Sequence, residues 1–408
     1  MKILLWSQYF WPEHFHINEV ALSLKEAGED LTLLTGKPNY PGGTIFPGYK
    51  AVGVQREVHQ GMEVVRVPLW PRRLGRARDL AMNYLSFIAS GCLWGPWALR
   101  NKRFDVVFVY APSPLLQALP ALFFAWIRNI PLVLWVQDLW PEALVSTGFV
   151  RNRFLLNVTE RAVRFIYRHA DLLLISSEGF RASVLQRGGS PEKIVYHPNS
   201  SRATPTTTGT TRSSIVEEIG QQFSIVYAGN MGTVQSLETV IAAARLLQHR
   251  PDIRFYLIGD GSQAKSLTEQ ISRFGLDNIR MHGWMAGDEI HAVYAAASVL
   301  LVPLKDDALI RHTVPNKLQV YMAAAKPIIV CGNGEVARTL VQSEAGLACA
   351  AGDAKALADT VERMQSMTSD QRSRFGANGI SYFQQHFELA FKTQALIRLL
   401  RSLMPKGP

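Results

Sequence analysis

Cysteine is nearly absent from this sequence. Cys92, Cys331 and Cys349 are far apart and form no CxxC pair. That argues against a zinc ribbon and a disulfide framework, and fits a reducing compartment. Charge is sparse, at 19% Asp, Glu, Lys and Arg, while 48% of residues are hydrophobic. Extensive disorder is thereby disfavoured. The opening MKILLWSQYF has an apolar run too short for a signal peptide and reads as a first buried strand. No long Lys/Arg tract interleaved with aromatics is present, which disfavours nucleic acid as the partner despite a net charge of +10. A GxGxxG dinucleotide fingerprint is also missing.

The 408 residues are enough for two hydrophobic cores. Arg72, Arg73, Arg76 and Arg78 form the densest basic cluster, just before the charge-free stretch 80–99. Adjacent basic and apolar segments favour a membrane surface. Asn83, Ser86, Ser90, Gly95 and Pro96 interrupt that stretch, so a core helix or one that dips into an interface is expected rather than a span. The similar stretch 106–127 starts as VVFVY and meets APSP, which reads as strand, loop and core helix.

Short apolar runs alternate with helical patterns through the first half. Strands are predicted at 3–6, 31–35, 63–67, 106–110, 132–136, 172–176 and 194–196, and helices at 17–27, 115–128, 154–169 and 179–187. This is the pattern of a mostly parallel sheet covered on both faces. The small, polar segment 200–214 then breaks the rhythm as a linker. Alternation restarts with strands at 224–227, 254–258, 279–281, 299–302 and 327–330 and helices at 237–247, 263–274, 288–297 and 316–325. The tail from 370 to 403 is helical. Two Rossmann-like α/β domains are expected, 1–199 and 215–385, facing across a cleft, with a helix in 386–408 packing back on the first domain.

Open parallel sheets bind ligands beyond the carboxyl ends of their strands. In the second half, AGNMGTVQSLETV follows a strand; Gly229 and Gly232 allow a tight turn, and a helix opens after Ser236. Backbone N–H groups there can approach a phosphate at a helix N-terminus. IGDG, with Asp260, ends the next strand as a tight turn. Arg311 and Lys317 flank a Pro-Asn turn at a helix start, a good clamp for a diphosphate. Glu335, after Gly334, can bond sugar hydroxyls or cap its helix. In the first half, Glu13, His14, His16 and Asn18 follow strand one among aromatics, which suits a sugar. The two histidines lack a further close Cys or His partner, so no metal site is expected there. Asp138, Trp140 and Glu142 follow another strand; the carboxylates can hold acceptor hydroxyls or take a proton, or serve the turn around Pro141.

Together, SQYFWPEHFHINEVA, LTGKPNYPGGTIFPGY, VPLWPRR, NYLSF, YAPSPL, WVQDLWPEAL, RFIYRHADLLLISS, YHPNS, YAGNMGTVQSLETV, LIGDGS, HTVPNKLQVYMAAAKPII and GEVARTL resemble glycosyltransferase family 4. These retaining enzymes have the GT-B fold, and the likeness is to the bacterial L-fucosamine or colanic-acid-type subgroup. The resemblance implies a UDP-sugar donor in the second domain, an acceptor in the first, and no required metal or cofactor. By position, Gly229, Asn230, Gly232, Gln235, Arg311 and Lys317 would surround the diphosphate. Gln235 stands where many members have lysine, and Asn230 where they often have arginine. The family's Glu-x7-Glu pair is replaced by His312 and Val320, which leaves ribose recognition unassigned. The loop after strand one lacks the usual Gly-Gly pair.

The expected product line is a bacterial surface polysaccharide such as O-antigen, capsule or exopolysaccharide. An N-acetylated deoxy sugar such as L-FucNAc would pass to a polyprenyl-diphosphate-linked saccharide at the inner face of the cell membrane. The enzyme would be cytoplasmic and peripheral there. Two other classes stay open: another GT-B enzyme such as an epimerase, and a non-catalytic sugar-nucleotide-binding partner of an assembly complex.

Overall fold

A computed structural model describes residues 1–73, 76–146, 152–202, 213–285 and 287–404. Most of the expected linker, 203–212, lies outside the described residues. By compactness the chain divides into Met1–Asn199 with Leu389 onward, and Ser200–Glu388.

The first unit carries β1 (Lys2–Trp6), β2 (Asp30–Thr35), β3 (Gln55–His59), β4 (Met62–Arg66), β5 (Val106–Ala111), β6 (Leu132–Val136), β7 (Leu172–Ile175) and β8 (Ile194–Tyr196). Its helices are α1 (Ile17–Glu26), α2 (Ala77–Ala98), α3 (Ala118–Arg128), α4 (Glu142–Ser146), α5 (Arg153–His169) and α6 (Arg181–Gln186). The sheet order is β3-β4-β2-β1-β5-β6-β7-β8. Central strands such as β5 and β6 are buried at every residue, as unbroken apolar runs demand in a sheet covered on both faces. The β3–β4 pair is antiparallel, at the edge, and turns through Gln60 and Gly61, both at positive φ. The expected strands omit β3, because Gln-Arg-Glu-Val-His alternates half-buried with exposed residues and carries no apolar run.

The charge-free stretch 80–99 is helical, in α2. Its inner face is Asn83, Phe87, Gly91, Gly95 and Ala98. A Cβ on Gly91 would stand 2.8 Å from Pro120 and 2.9 Å from the Trp6 ring, so a small residue is needed for this approach. Among the described residues, no helix is long and apolar enough to cross a membrane.

The second unit holds α7 (Ser214–Gly220), β9 (Phe223–Ala228), α8 (Leu237–Leu246), β10 (Ile253–Ile258), α9 (Ala264–Phe274), β11 (Ile279–His282), α10 (Gly287–Ala296) and β12 (Val299–Pro303). It continues with α11 (Asn316–Ala323), β13 (Ile328–Cys331), α12 (Glu335–Gln342), β14 (Gly346–Cys349), α13 (Ala354–Ser366) and α14 (Ser369–His386). All six strands are parallel, in the order β11-β10-β9-β12-β13-β14. Cys331 and Cys349, distant in sequence, are register partners on adjacent strands, and both are free thiols.

The tail is two helices, α14 and then α15 (Leu389–Ser402). The latter belongs to the first unit and packs on α1. Leu389, Leu396, Ile397 and Leu400 enter the core built on β1, β2, β5 and β6. Thr393 Oγ1 reaches Ser23 Oγ at 2.8 Å, and Arg401 pairs with the buried Glu29 at 2.6 Å.

Candidate functional site

The second unit gathers its chemistry at the carboxyl ends of β9 and β10. The Gly229 N–H donates to Ile258 O at 2.9 Å, and the Met231 N–H to Asp260 O at 2.8 Å. The two loops stack backbone on backbone. A Cβ on Gly259 would lie 2.0 Å from Gly229 O, and its φ of +135° is itself poorly open to other residues. The IGDG turn therefore positions the AGNMG loop. Asp260 is exposed and accepts the Gly261 N–H at 2.7 Å.

Lys317, in the first turn of α11, reaches under this loop. Its Nζ donates to Ala228 O at 2.6 Å and stands 3.4 Å from the centre of the Tyr227 ring. A Cβ on Gly229 would be 2.7 Å from that Nζ. Burial lowers the ammonium to about 7. Tyr321, one turn further along α11, accepts the Ala228 N–H at 2.9 Å. Tyr227 and Tyr321 are absent from the expected set, yet the i, i+4 spacing of Lys317 and Tyr321 puts both on one helix face.

Asn230 is exposed at the loop tip. Gln235 closes the short turn Thr233–Gln235, its Oε1 accepting the Gly232 N–H at 3.2 Å. Arg311 is exposed and held by Asp306, with Nε and Nη2 each 2.7 Å from a carboxylate oxygen. This pairing holds Asp306 down at about 2. Gly334, at φ +79°, packs so closely on Arg311 that a Cβ would meet its carbonyl oxygen at 2.0 Å. Glu335 opens α12 and pairs with Arg338. Arg311, Gly334 and Glu335 thus form a second cluster, while Lys317, Gly229 and Asp260 form the first. Val320 is half-buried in α11 and His312 exposed in the preceding turn, so neither supplies a carboxylate.

In the first unit, Glu13 is buried. Its Oε1 accepts the N–H groups of Asn39 and Tyr40, both at 2.8 Å, while Oε2 is buried without a hydrogen bond. Burial raises its carboxyl to about 7 against those donors. Glu13 therefore staples the loop after β1 to the loop after β2. Asn18 shapes the same loop, accepting the Trp11 N–H at 3.1 Å and donating to Glu13 O at 2.7 Å. His14 is exposed. His16 lies edge-on to Trp135, 5.7 Å between centroids, and burial pushes it down to about 4.

Asp138 follows β6. Burial raises its carboxyl despite a hydrogen bond from the Ser113 N–H, and the Tyr110 and Tyr84 hydroxyls feel its charge. The Trp140 Nε1 donates to Ser113 Oγ at 3.0 Å, and its ring lies edge-on to Tyr84. Asp138 and Trp140 are therefore gathered around Ser113. Glu142 is directed elsewhere: Arg187 of the α6 end holds it at 2.8 Å, and Arg187 also holds Glu160 of α5 at 2.9 Å. It braces α4 rather than joining Asp138. Part of the arginine cluster is likewise used internally. Arg72 donates to Tyr9 Oη at 3.1 Å and covers Tyr40, and Arg73 stacks over Trp70.

Residues 14–200 match the family described as Glycosyl transferase 4-like domain, and residues 222–366 match Glycosyl transferases group 1. The Escherichia coli (strain K12) protein WcaI, named for glycosyl transfer in colanic acid biosynthesis, is 24% identical over 346 residues, 81% of this chain and 83% of that protein. The 2-deoxystreptamine glucosyltransferase of Streptomyces kanamyceticus is 32% identical over 126 residues, 31% of each chain. Among solved structures, Anabaena Alr3699/HepE in complex with UDP aligns with a TM-score of 0.72 at 16% identity, covering 98% of this chain and all of that one (100%). A Rickettsia africae glycosyltransferase aligns with a TM-score of 0.74 at 14% identity, covering 100% of this chain and 99% of the other. At such identities the structural matches speak for the fold alone.

Proposed function

Since the chain is a glycosyltransferase of the GT-B fold, pairing a 4-like domain with a group 1 domain, we propose that it transfers a sugar from a UDP-sugar, with retention, to a lipid-linked saccharide. The process it serves is bacterial surface polysaccharide synthesis, and the transferred unit is an N-acetylated deoxy sugar of the L-FucNAc kind. WcaI and the UDP-bound Anabaena structure support this reading by likeness.

The observation that carries the donor assignment is Lys317. A buried ammonium beneath a glycine turn, at the carboxyl end of a parallel strand, suits a diphosphate and supports this reading. In this reading the donor lies over Gly229, Asn230 and Gly232, with Asp260 alongside. Lys317, joined by Arg311 from its exposed turn, offsets the charge that develops on the departing diphosphate. Glu335 accepts from sugar hydroxyls. The acceptor hydroxyl attacks from the face the diphosphate leaves and passes its proton to the leaving phosphate oxygen. Asp138, Trp140, His14 and His16 hold the acceptor, and Glu13 and Asn18 shape the loop that presents those histidines. Asp138, the buried carboxylate of this group, orients the attacking hydroxyl; Glu142 acts through the placement of α4.

The test is a binding titration against UDP, GDP, CMP and dTDP. Selective UDP binding is expected. Lys317→Met should weaken it roughly 10–100-fold, since a charge-assisted hydrogen bond is worth about 1.5–3 kcal/mol. Undiminished UDP binding by a folded Lys317→Met protein would remove the diphosphate role. Selective GDP binding would overturn the donor class.

A further inference from the structure

The helical layer α2–α3–α5 covers one face of the first unit's sheet, with α3 packed on both neighbours. Its outer surface is unusually apolar. Twelve of the twenty-five exposed large apolar side chains among the described residues lie on these three helices. Trp126 is 79% exposed, Leu93 72%, Phe154 71% and Trp97 52%. An apolar patch this concentrated marks an interaction surface.

A cavity of ≈ 660 Å³ opens within this layer, lined by Leu122, Phe123, Trp126, Ile130 and Phe165 among others. Its volume is that of a ligand pocket, about 300–1,000 Å³. The two titratable residues on its wall are engaged with backbone. Asp171 accepts the Leu132 N–H at 2.8 Å, and His169 Nδ1 lies 2.8 Å from Phe165 O. Ile130 also lines a smaller cavity of ≈ 180 Å³ whose other walls include Lys102, Arg103 and Arg128. An apolar chamber therefore adjoins one with three cations on its wall, of which Lys102 is paired with Glu63 and Arg128 donates through Nη2 to Leu99 O at 2.9 Å and Arg100 O at 3.1 Å.

The layer carries a positive excess of charge. Arg78, Arg128, Arg153, Arg161, Arg164 and Arg168 stand on the three helices against Asp79 and Glu160. Asp79 faces Arg73 at 4.0 Å, and Glu160 is held by Arg164 and Arg187, both at 2.9 Å. Arg100 lies over Trp97, the pairing of cation and indole that suits a membrane–water boundary. The cavity and the acceptor residues lie at opposite ends of α5. α5 runs from the carboxyl end of β6, where Asp138 stands, back to the start of β7 beside the cavity.

We propose that the α2–α3–α5 layer is the face on which this protein lies against an anionic phospholipid bilayer, with hydrocarbon entering the larger cavity and lipid phosphate meeting Arg103 and Arg128. The proposal rests on the reading of a lipid-linked acceptor, which requires the protein to work at a bilayer, and names the face that meets it. Its test is separate from nucleotide binding, so either can fail alone.

The full chain is mixed with vesicles of phosphatidylcholine, with and without phosphatidylglycerol, and floated on a density gradient. Flotation with the anionic vesicles only is expected, and phospholipids with brominated acyl chains should quench tryptophan fluorescence. Phe123→Ser with Trp126→Ser should weaken association at least about tenfold and leave UDP affinity unchanged. Absence of flotation, or flotation undiminished by the double variant, overturns the proposal. So does displacement by glycerol 3-phosphate, which would identify a free-phosphate site. Binding only to phosphatidylcholine vesicles doped with a polyprenyl phosphate would assign the cavity to the acceptor's own tail and overturn the phospholipid assignment.

Discussion

Lys317 shows how a single residue's chemistry is set by its surroundings. Burial brings its ammonium down to about 7, from 10.5 for a free lysine. Between those values the unfolded chain binds more protons than the folded one, so this group makes stability rise with pH across that window. The effect on ligand binding has the opposite direction. A diphosphate favours the charged form, so binding above about 7 requires proton uptake. UDP affinity is expected to be level just below that pH and to fall above it, by at most about tenfold per pH unit. Titrations across this range check it; the terminal phosphate, with a second pKa of about 6, is already ionised. Lys317→Arg, charged throughout, should flatten the profile. A wild-type affinity that stays level up to pH 9 would mean that Lys317 does not meet the nucleotide. Here the sequence identified the lysine, but its burial and its contact with Tyr227 come from packing.

Among the elements, the loops after β9 and β10 depend on one another. Gly259→Ala would place a methyl 2.0 Å from Gly229 O at a φ of +135°. Backbone strain alone costs about 1–3 kcal/mol. Thermal unfolding should therefore occur at lower temperature, and UDP binding should weaken because the AGNMG loop is displaced. Gly283→Ala meets nothing within 4 Å and should leave both unchanged. Equal behaviour of the two variants would mean that the stacking of the loops is unimportant. Most elements were readable from apolar runs and helical spacing. The missed strands are informative. β3 is an edge strand without an apolar run, and β14 is Gly-Leu-Ala-Cys, too small and short to announce itself. Each is a strand because a neighbour offers it a ladder of hydrogen bonds.

At the scale of the molecule, the chain's last helix belongs with its first residues. Leu389, Leu396, Ile397 and Leu400 are almost completely buried in the first unit. Burial of four such side chains contributes roughly 6–12 kcal/mol, comparable to the whole stability of a domain, about 5–15 kcal/mol. A chain ending at residue 388 should lose the first unit's cooperative transition in calorimetry or become insoluble. An unchanged scan would show that α15 is dispensable. Membrane attachment belongs to this scale too. The sequence pointed to Arg72, Arg73, Arg76 and Arg78 and the stretch 80–99. Folding engages Arg72 with Tyr9 and Tyr40 and turns one face of α2 inward, leaves Arg76 and Arg78 exposed, and adds α3 and α5 to the basic, apolar surface.

What the amino-acid sequence determined by itself was periodic: two α/β units, a polar break between them, and glycine and cation motifs at strand ends. These are local properties, because strand and helix patterns, tight turns and helix starts are written in consecutive residues. Only tertiary structure decided which of the motif residues share a site. Lys317 meets Gly229 across 88 positions of sequence, Glu142 is drawn off by Arg187, and Cys331 finds Cys349 on the next strand. The cavity under Trp126 has no sequence signature, because an exposed apolar face and a buried one have the same composition until the neighbouring elements are in place.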